Sequence, residues 1–331
     1  MQTKTNITLP EIMCRDNIED ILKVCKSIRT KENITLDAHK YRFASPIGLA
    51  LLKAAIHSRH PCRVDDIVWL AKNSASYLQR MDFFSGIDAP SVEMPNYRRN
   101  DCSDRLIEIF QLSHEGMVED LSKRITDALA ESIKRSVLTT EYDWSAACKH
   151  ISYLISELLL NATTHAKRGQ HSQRSAAWVC AQARGPQAHQ PAEIEIAIVD
   201  DGCGVLYTLA DQIDNKTSHP EAIQKAMQPL VSCNLGVDFD GRETANQGVG
   251  LYVAHDMIER AGGSMLMVSG DGIYRPGATK RKDNFQTIEQ SWEGVAISLR
   301  IPFDRLHLIK PGESLDKIRH LIDSEPELNF C

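Results

Sequence analysis

Glu157, Asn161 and His165 stand four residues apart in the run HISYLISELLLNATTHAKRG. On a helix that spacing lines them up on one face, with about 6 Å between successive side chains. Beside them Ala147, Ile151, Leu154, Leu158 and Ala162 make an apolar stripe. An asparagine oxygen suits Mg²⁺, which takes hard oxygen ligands and shares them with phosphates. A glutamate one turn earlier can orient or deprotonate a water or hydroxyl. The same three residues would also suit a partly solvated helix flank, so the helix alone leaves both readings open.

A second group follows the run Glu193-Ile-Glu-Ile-Ala-Ile-Val-Asp200. Its alternation predicts a strand with Ile194, Ile196 and Ile198 on one face. Asp200 shares their parity and Asp201 does not, so Asp200 faces the buried layer. A carboxylate there needs a donor partner, and the exocyclic amine of adenine would serve. Gly202 and Gly204 permit a sharp turn and close approach of a planar base. An Asp-Gly turn after a strand is common, however, and by itself says little. The third group, Asn246-Gln-Gly248-Val249-Gly250-Leu251, opens a predicted helix. Glycines there leave bare N–H groups and the positive helix end facing a phosphate. Neither a complete dinucleotide fingerprint nor a G-x-x-x-x-G-K-[ST] loop is present.

The elements that must position these groups read as α+β. Strands are predicted at 6–9, 34–37 and 64–70, and helices at 16–28, 47–57 and 74–84. Pro46 sits at a first helical turn, where its missing N–H is harmless. Residues 89–100, with Pro90 and Pro95, form the linker. Then come a strand at 105–112, helices at 116–137 and 144–166, and strands at 175–184 and 193–200. A polar loop of unusual length leads to a helix at 250–261 capped by Gly262-Gly263. Strands at 265–269 and 295–301 and a short helix at 315–322 close the chain.

The 331 residues suit two domains, and 42% hydrophobic with 25% charged residues is globular composition. A net charge of −6 argues against bulk electrostatic binding to nucleic acid. No apolar run is long enough to span a bilayer, and the first residues lack an export signal. The nine cysteines are scattered, with no C-x-x-C pair. They read as reduced thiols, and the expected location is cytoplasmic with no membrane contact.

Taken in order, E-x-x-x-N on a helix, D-x-G-x-G after a strand and G-x-G-L at a helix start resemble the GHKL ATPase superfamily. The resemblance covers about 103–303. It implies a Bergerat-type α/β sandwich of mixed sheet and helices, with ATP and Mg²⁺ as cofactors. Glu157 would be the catalytic base and Asn161 the Mg²⁺ ligand. Asp200 would anchor adenine beside Gly202 and Gly204, and His165, Gly248, Val249, Gly250 and Leu251 would complete the nucleotide site. Asn161-Ala-Thr-Thr-His165 is most similar to the anti-sigma-factor serine kinases. His114 lies too close to Asn161 for a histidine-kinase hairpin and reads as a loop or helix-start residue. Gly294-Val295 stands where the family often has Gly-Thr, so a hydroxyl that supports the adenine-binding Asp is missing.

Residues 1–95 resemble a STAS-type domain, through Ile34-Thr-Leu-Asp37 and Phe43-Ala-Ser-Pro-Ile47-Gly48. Ile47 occupies the position of the phosphorylatable serine. Residues 304–331 form a tail. The resemblances imply an ATP-binding regulator that hydrolyses Mg-ATP or phosphorylates a Ser/Thr of a regulatory protein partner. Binding of ATP or ADP as a pure sensor, and a dimeric ATP clamp on nucleic acid, are the alternatives. The charge makes nucleic acid the less favoured partner, and a homodimer is one option for assembly. Lys216, Lys225 and Arg242 lie in the lid of that superfamily, and Arg275, Lys280, Arg281 and Lys282 form a basic hairpin tip.

Overall fold

The computed structural model describes residues 5–31, 34–58, 64–68, 72–87, 99–136, 144–164, 176–185, 192–229, 231, 250–277 and 284–324. The amino-terminal part contains β1 (Thr5–Thr8), β2 (Ile12–Met13), α1 (Ile18–Thr30), β3 (Ile34–Asp37), β4 (Phe43–Ala44), α2 (Pro46–His57), β5 (Val64–Val68) and α3 (Lys72–Arg80). Strands β1, β3 and β5 form a parallel sheet in that order, and β2 pairs with β4 in parallel. In α1 the expected stripe, Ile18, Ile21, Leu22, Cys25 and Ile28, is buried. Helix α2 is buried all the way round from Pro46 to Ile56. A helix that is apolar on every side must have neighbours on every side.

Those neighbours come from the rest of the chain. It runs β6 (Leu106–Leu112), α4 (Val118–Ser136), α5 (Trp144–Thr164), β7 (Ala177–Arg184) and β8 (Glu193–Asp200). Then follow α6 (Gly204–Thr208), α7 (His219–Ala226), α8 (Gly250–Arg260), β9 (Ser264–Tyr274), β10 (Phe285–Pro302) and α9 (Pro311–Ser324). One five-stranded sheet, in the order β6-β7-β8-β10-β9, organises it. All four pairings are antiparallel, which corrects the expectation of a mixed sheet. β9 and β10 form a long hairpin and β7 and β8 are consecutive neighbours, so no crossover of the kind that parallel pairing requires joins them.

The sheet is covered on both faces. Ile194, Ile196 and Ile198 join Val179, Met267 and Ile297 under α4, α5 and α8. On the other face Ala197, Val199, Trp178, Cys180, Val268 and Trp292 pack with the apolar residues of α1 and α2. Helix α1 lies on β10, and α2 lies on β7 and β8. Fully burying one such large apolar side chain contributes about 1.5–3 kcal/mol, so the second face is a core in its own right.

Within that second core lies a charge. Glu195 is 0% exposed. Its carboxylate accepts from Ser45 Oγ at 2.7 Å, Arg300 Nε at 3.2 Å and Ser298 Oγ at 3.4 Å, and Arg184 stands 3.5 Å away. A buried ion is tolerated only when it is paired and hydrogen-bonded in this way. Ser45 itself belongs to the amino-terminal segment, at the start of α2.

Two stretches differ from the sequence expectation. The long polar loop holds α6 and α7, the latter opened by a capping box in which Ser218 and Glu221 bond reciprocally, with Pro220 in the first turn. Helix α7 packs on β9 and β10. The closing strands extend well past 265–269 and 295–301, and Arg275 of the hairpin reaches Glu19 of α1 at 3.9 Å. Lys280, Arg281 and Lys282 lie outside the described residues, as does most of the linker. His114 caps a 3-10 turn, Glu115–Met117, in line with its helix-start reading.

Candidate functional site

Helix α5 buries Ala147, Ile151, Leu154, Leu158 and Ala162, which fixes Glu157 and Asn161 on the adjoining, half-buried flank. The Tyr153 hydroxyl, one turn earlier, donates to the Glu157 carboxylate. Burial holds that carboxyl above the usual range, and the tyrosine bond only partly offsets it. Burial and the neighbouring carboxylate together push the Tyr153 phenol up to about 12. At the start of α8, Gly250 lies directly against Glu157. A Cβ at Gly250 would come within 2.5 Å of Glu157 Oε2. The glycine therefore lets a carboxylate meet the electropositive end of a helix. Leu251, next along, is half-buried against the core that α5 and α8 share.

Asp200 ends β8 on the isoleucine side and is 4% exposed. Its Oδ1 accepts from the backbone N–H of Gly202 at 2.9 Å and of Val295 at 3.2 Å. Its main-chain oxygen accepts from Trp292 Nε1 at 2.7 Å. Burial drives the carboxyl up to about 7, against the lowering by the two N–H groups. Asp201 makes a different contact and accepts from the Ala176 N–H at 2.8 Å. The main-chain N–H of Val295 thus supports the Asp200 carboxylate directly. Gly294 is required there because a Cβ would fall 2.0 Å from the Asp200 carbonyl oxygen.

The turn after Asp200 is clamped onto the hairpin. Gly202 is buried, and Gly204 has φ +75°, with the Glu293 carbonyl oxygen 2.5 Å from where a Cβ would sit. The next residue, Val205, donates its N–H to Ser269 Oγ at 2.9 Å. Ser269 is buried opposite Val295 in the β9–β10 register.

Two clusters emerge. One joins Glu157, Tyr153 and Gly250; the other joins Asp200, Gly202, Gly204, Ser269, Trp292 and Val295. Helix α5 packs on both α8 and β8 and so lies between them. His165, Gly248 and Val249 lie outside the described residues, as does Arg242 of the lid. Lys216 is exposed and Lys225 half-buried. The sequence reading did not single out Tyr153, Ser269 or Trp292. Tyr153 could have been found by its spacing of four from Glu157, and Ser269 as a lone hydroxyl in an apolar strand.

Among the described residues no group of three His, Cys, Asp or Glu side chains is placed to hold a metal ion. No helix among them is long and apolar enough to cross a membrane. No family model, curated protein or solved structure matches the chain.

Proposed function

We propose that the chain is a Mg-ATP-binding regulator with a GHKL-type nucleotide site in residues 103–303 and a STAS-like segment in residues 1–95. The observation that carries the reading is Asp200. Its carboxylate is almost fully buried, both backbone donors converge on Oδ1, and a turn with Gly202 and Gly204 follows. That arrangement leaves Oδ2 to accept from the amine of an adenine ring. Such a charge-assisted hydrogen bond is stronger than one between neutral groups.

Glu157 is the candidate base. Its raised carboxyl is a better proton acceptor than an exposed glutamate, and the Tyr153 hydroxyl stands beside it as a donor. Asn161, one turn on, is the oxygen ligand for Mg²⁺, and phosphate oxygens would complete the shell. When bound, the ion supplies charge neutralisation to the phosphates. The amino end of α8 supplies the dipole that faces them. The phosphate acceptor is water or a Ser/Thr of a regulatory protein partner.

Calorimetry and a phosphate-release assay test this. The wild type should bind ATP with Mg²⁺. Glu157→Gln should bind nearly as well but turn over 10²–10⁴-fold more slowly, the usual weight of a general base (roughly). Asn161→Ala should lose metal-dependent affinity and turnover together. No adenine nucleotide binding by the wild type would refute the proposal. Equal turnover in wild type and Glu157→Gln would leave nucleotide sensing as the function.

A further inference from the structure

Trp292 sits where β10 departs from regular pairing. The register with β9 shifts between Thr287 and Trp292, and again between Trp292 and Val295. Such irregularities re-aim side chains and concentrate beside functional sites. This one grips Asp200 twice, through the indole N–H on its carbonyl oxygen at 2.7 Å and the Val295 N–H on its carboxylate at 3.2 Å. The indole is completely buried. Over its ring, 5.1 Å from the centroid, lies the guanidinium of Arg29. Arg29 belongs to the last turn of α1 and also pairs with Glu293, the residue between Trp292 and Gly294.

We infer that Trp292 is a positioning residue for the adenine-recognising carboxylate, and that Arg29 acts through it to make the amino-terminal segment part of the nucleotide site. The inference rests on the nucleotide reading of Asp200. The guanidinium covers the indole face and holds Glu293 in place, so the irregular stretch keeps one shape. With that shape fixed, the Val295 N–H stays on Oδ1 and Oδ2 stays aimed at the ligand. Loss of Arg29 frees the stretch without touching any residue that meets the nucleotide.

The test uses the full chain and three variants. Trp292→Phe keeps an aromatic ring but removes the indole N–H. Arg29→Ala removes both stack and ion pair, and Arg29→Lys restores charge without the planar stack. Binding of ADP and of GDP is measured by calorimetry, with melting temperature as the check on folding. Arg29→Ala and Trp292→Phe should each weaken ADP about five-fold, the weight of one ordinary hydrogen bond. GDP should be little changed, so the preference for adenine falls, and Arg29→Lys should lie between Ala and wild type. Unchanged preference for ADP over GDP in both Arg29→Ala and Trp292→Phe would overturn the inference.

A second readout needs no nucleotide. The Trp292 indole N–H resonance, identified by its loss in Trp292→Phe, should exchange with solvent slowly in wild type and much faster in Arg29→Ala. Equal exchange would overturn the link from α1 to Asp200. Failure of the wild type to bind ADP would instead remove the nucleotide reading, while the exchange experiment still judged the linkage.

Discussion

Replacing Asp200 by Asn should stabilise the folded chain at neutral pH while removing its affinity for adenine. Burial raises the Asp200 carboxyl from 3.8 to about 7. Between those values the folded chain holds a proton that the unfolded chain has released, so stability falls as pH rises. The penalty is absent below about pH 4 and complete above about pH 7. The gap between the two values sets it at about 4 kcal/mol. Asparagine cannot ionise, yet its oxygen can still accept from Gly202 and Val295. Urea unfolding of both proteins from pH 4 to pH 8 isolates the effect. The lowered carboxyls of Asp37, Glu108 and Asp256 and the lowered imidazole of His57 are common to both and cancel in the difference. Any fixed penalty of the buried amide shifts the whole difference curve and leaves its slope intact. The difference should move toward the Asn variant by several kcal/mol across this range. Parallel stability curves would refute the assignment of Asp200 as a buried, strained carboxylate. In the wild type, ADP binding should strengthen from pH 6 to pH 8, because the adenine amine prefers the ionised form.

Gly294→Ala should fail on both counts, since its Cβ would lie 2.0 Å from the Asp200 carbonyl oxygen and 2.7 Å from Oδ1. Overpacking of this kind costs about 1–3 kcal/mol or more, and thermal unfolding with ADP calorimetry should show both losses. Ser269→Ala leaves the Val205 N–H without its acceptor, a penalty of about 1–3 kcal/mol for a buried donor. Urea unfolding should show that loss, and ADP binding should weaken as the turn after Asp200 loosens.

The long helix was legible because its apolar stripe, Ala147 to Ala162, repeats with helical period over about four turns, which leaves one orientation for Glu157 and Asn161. Asp200 was legible for the same kind of reason, since strand parity decides which of two adjacent carboxylates is buried. The support for Asp200 was not. The contact from Val295 comes from the main-chain N–H, which every residue other than proline carries, so no side-chain type marks it. Trp292 and Ser269 escaped because their partners lie 92 and 64 residues away in the chain, respectively. Helix α7 had a visible start in Ser218-His-Pro-Glu221, but its polar surroundings read as loop. The burial of Glu195 was invisible as well. Alternation with isoleucines assigns a glutamate to the opposite face of the strand and cannot say whether another part of the chain lies there.

That covered face bears on how such a chain can change over generations. Ser45 lies before the linker, Glu195, Arg184 and Arg300 lie after it, and together they satisfy one charge sealed from water. Losing any one of them strands the others, so substitutions at these positions are expected to arise as sets. A shuffled gene that gave the second half a foreign first half would keep Arg184 and Arg300 beside Glu195 but lose the Ser45 hydroxyl, and would leave an oily sheet face with no lid. The cover that each half gives the other is thus a reason to expect the two halves to change together.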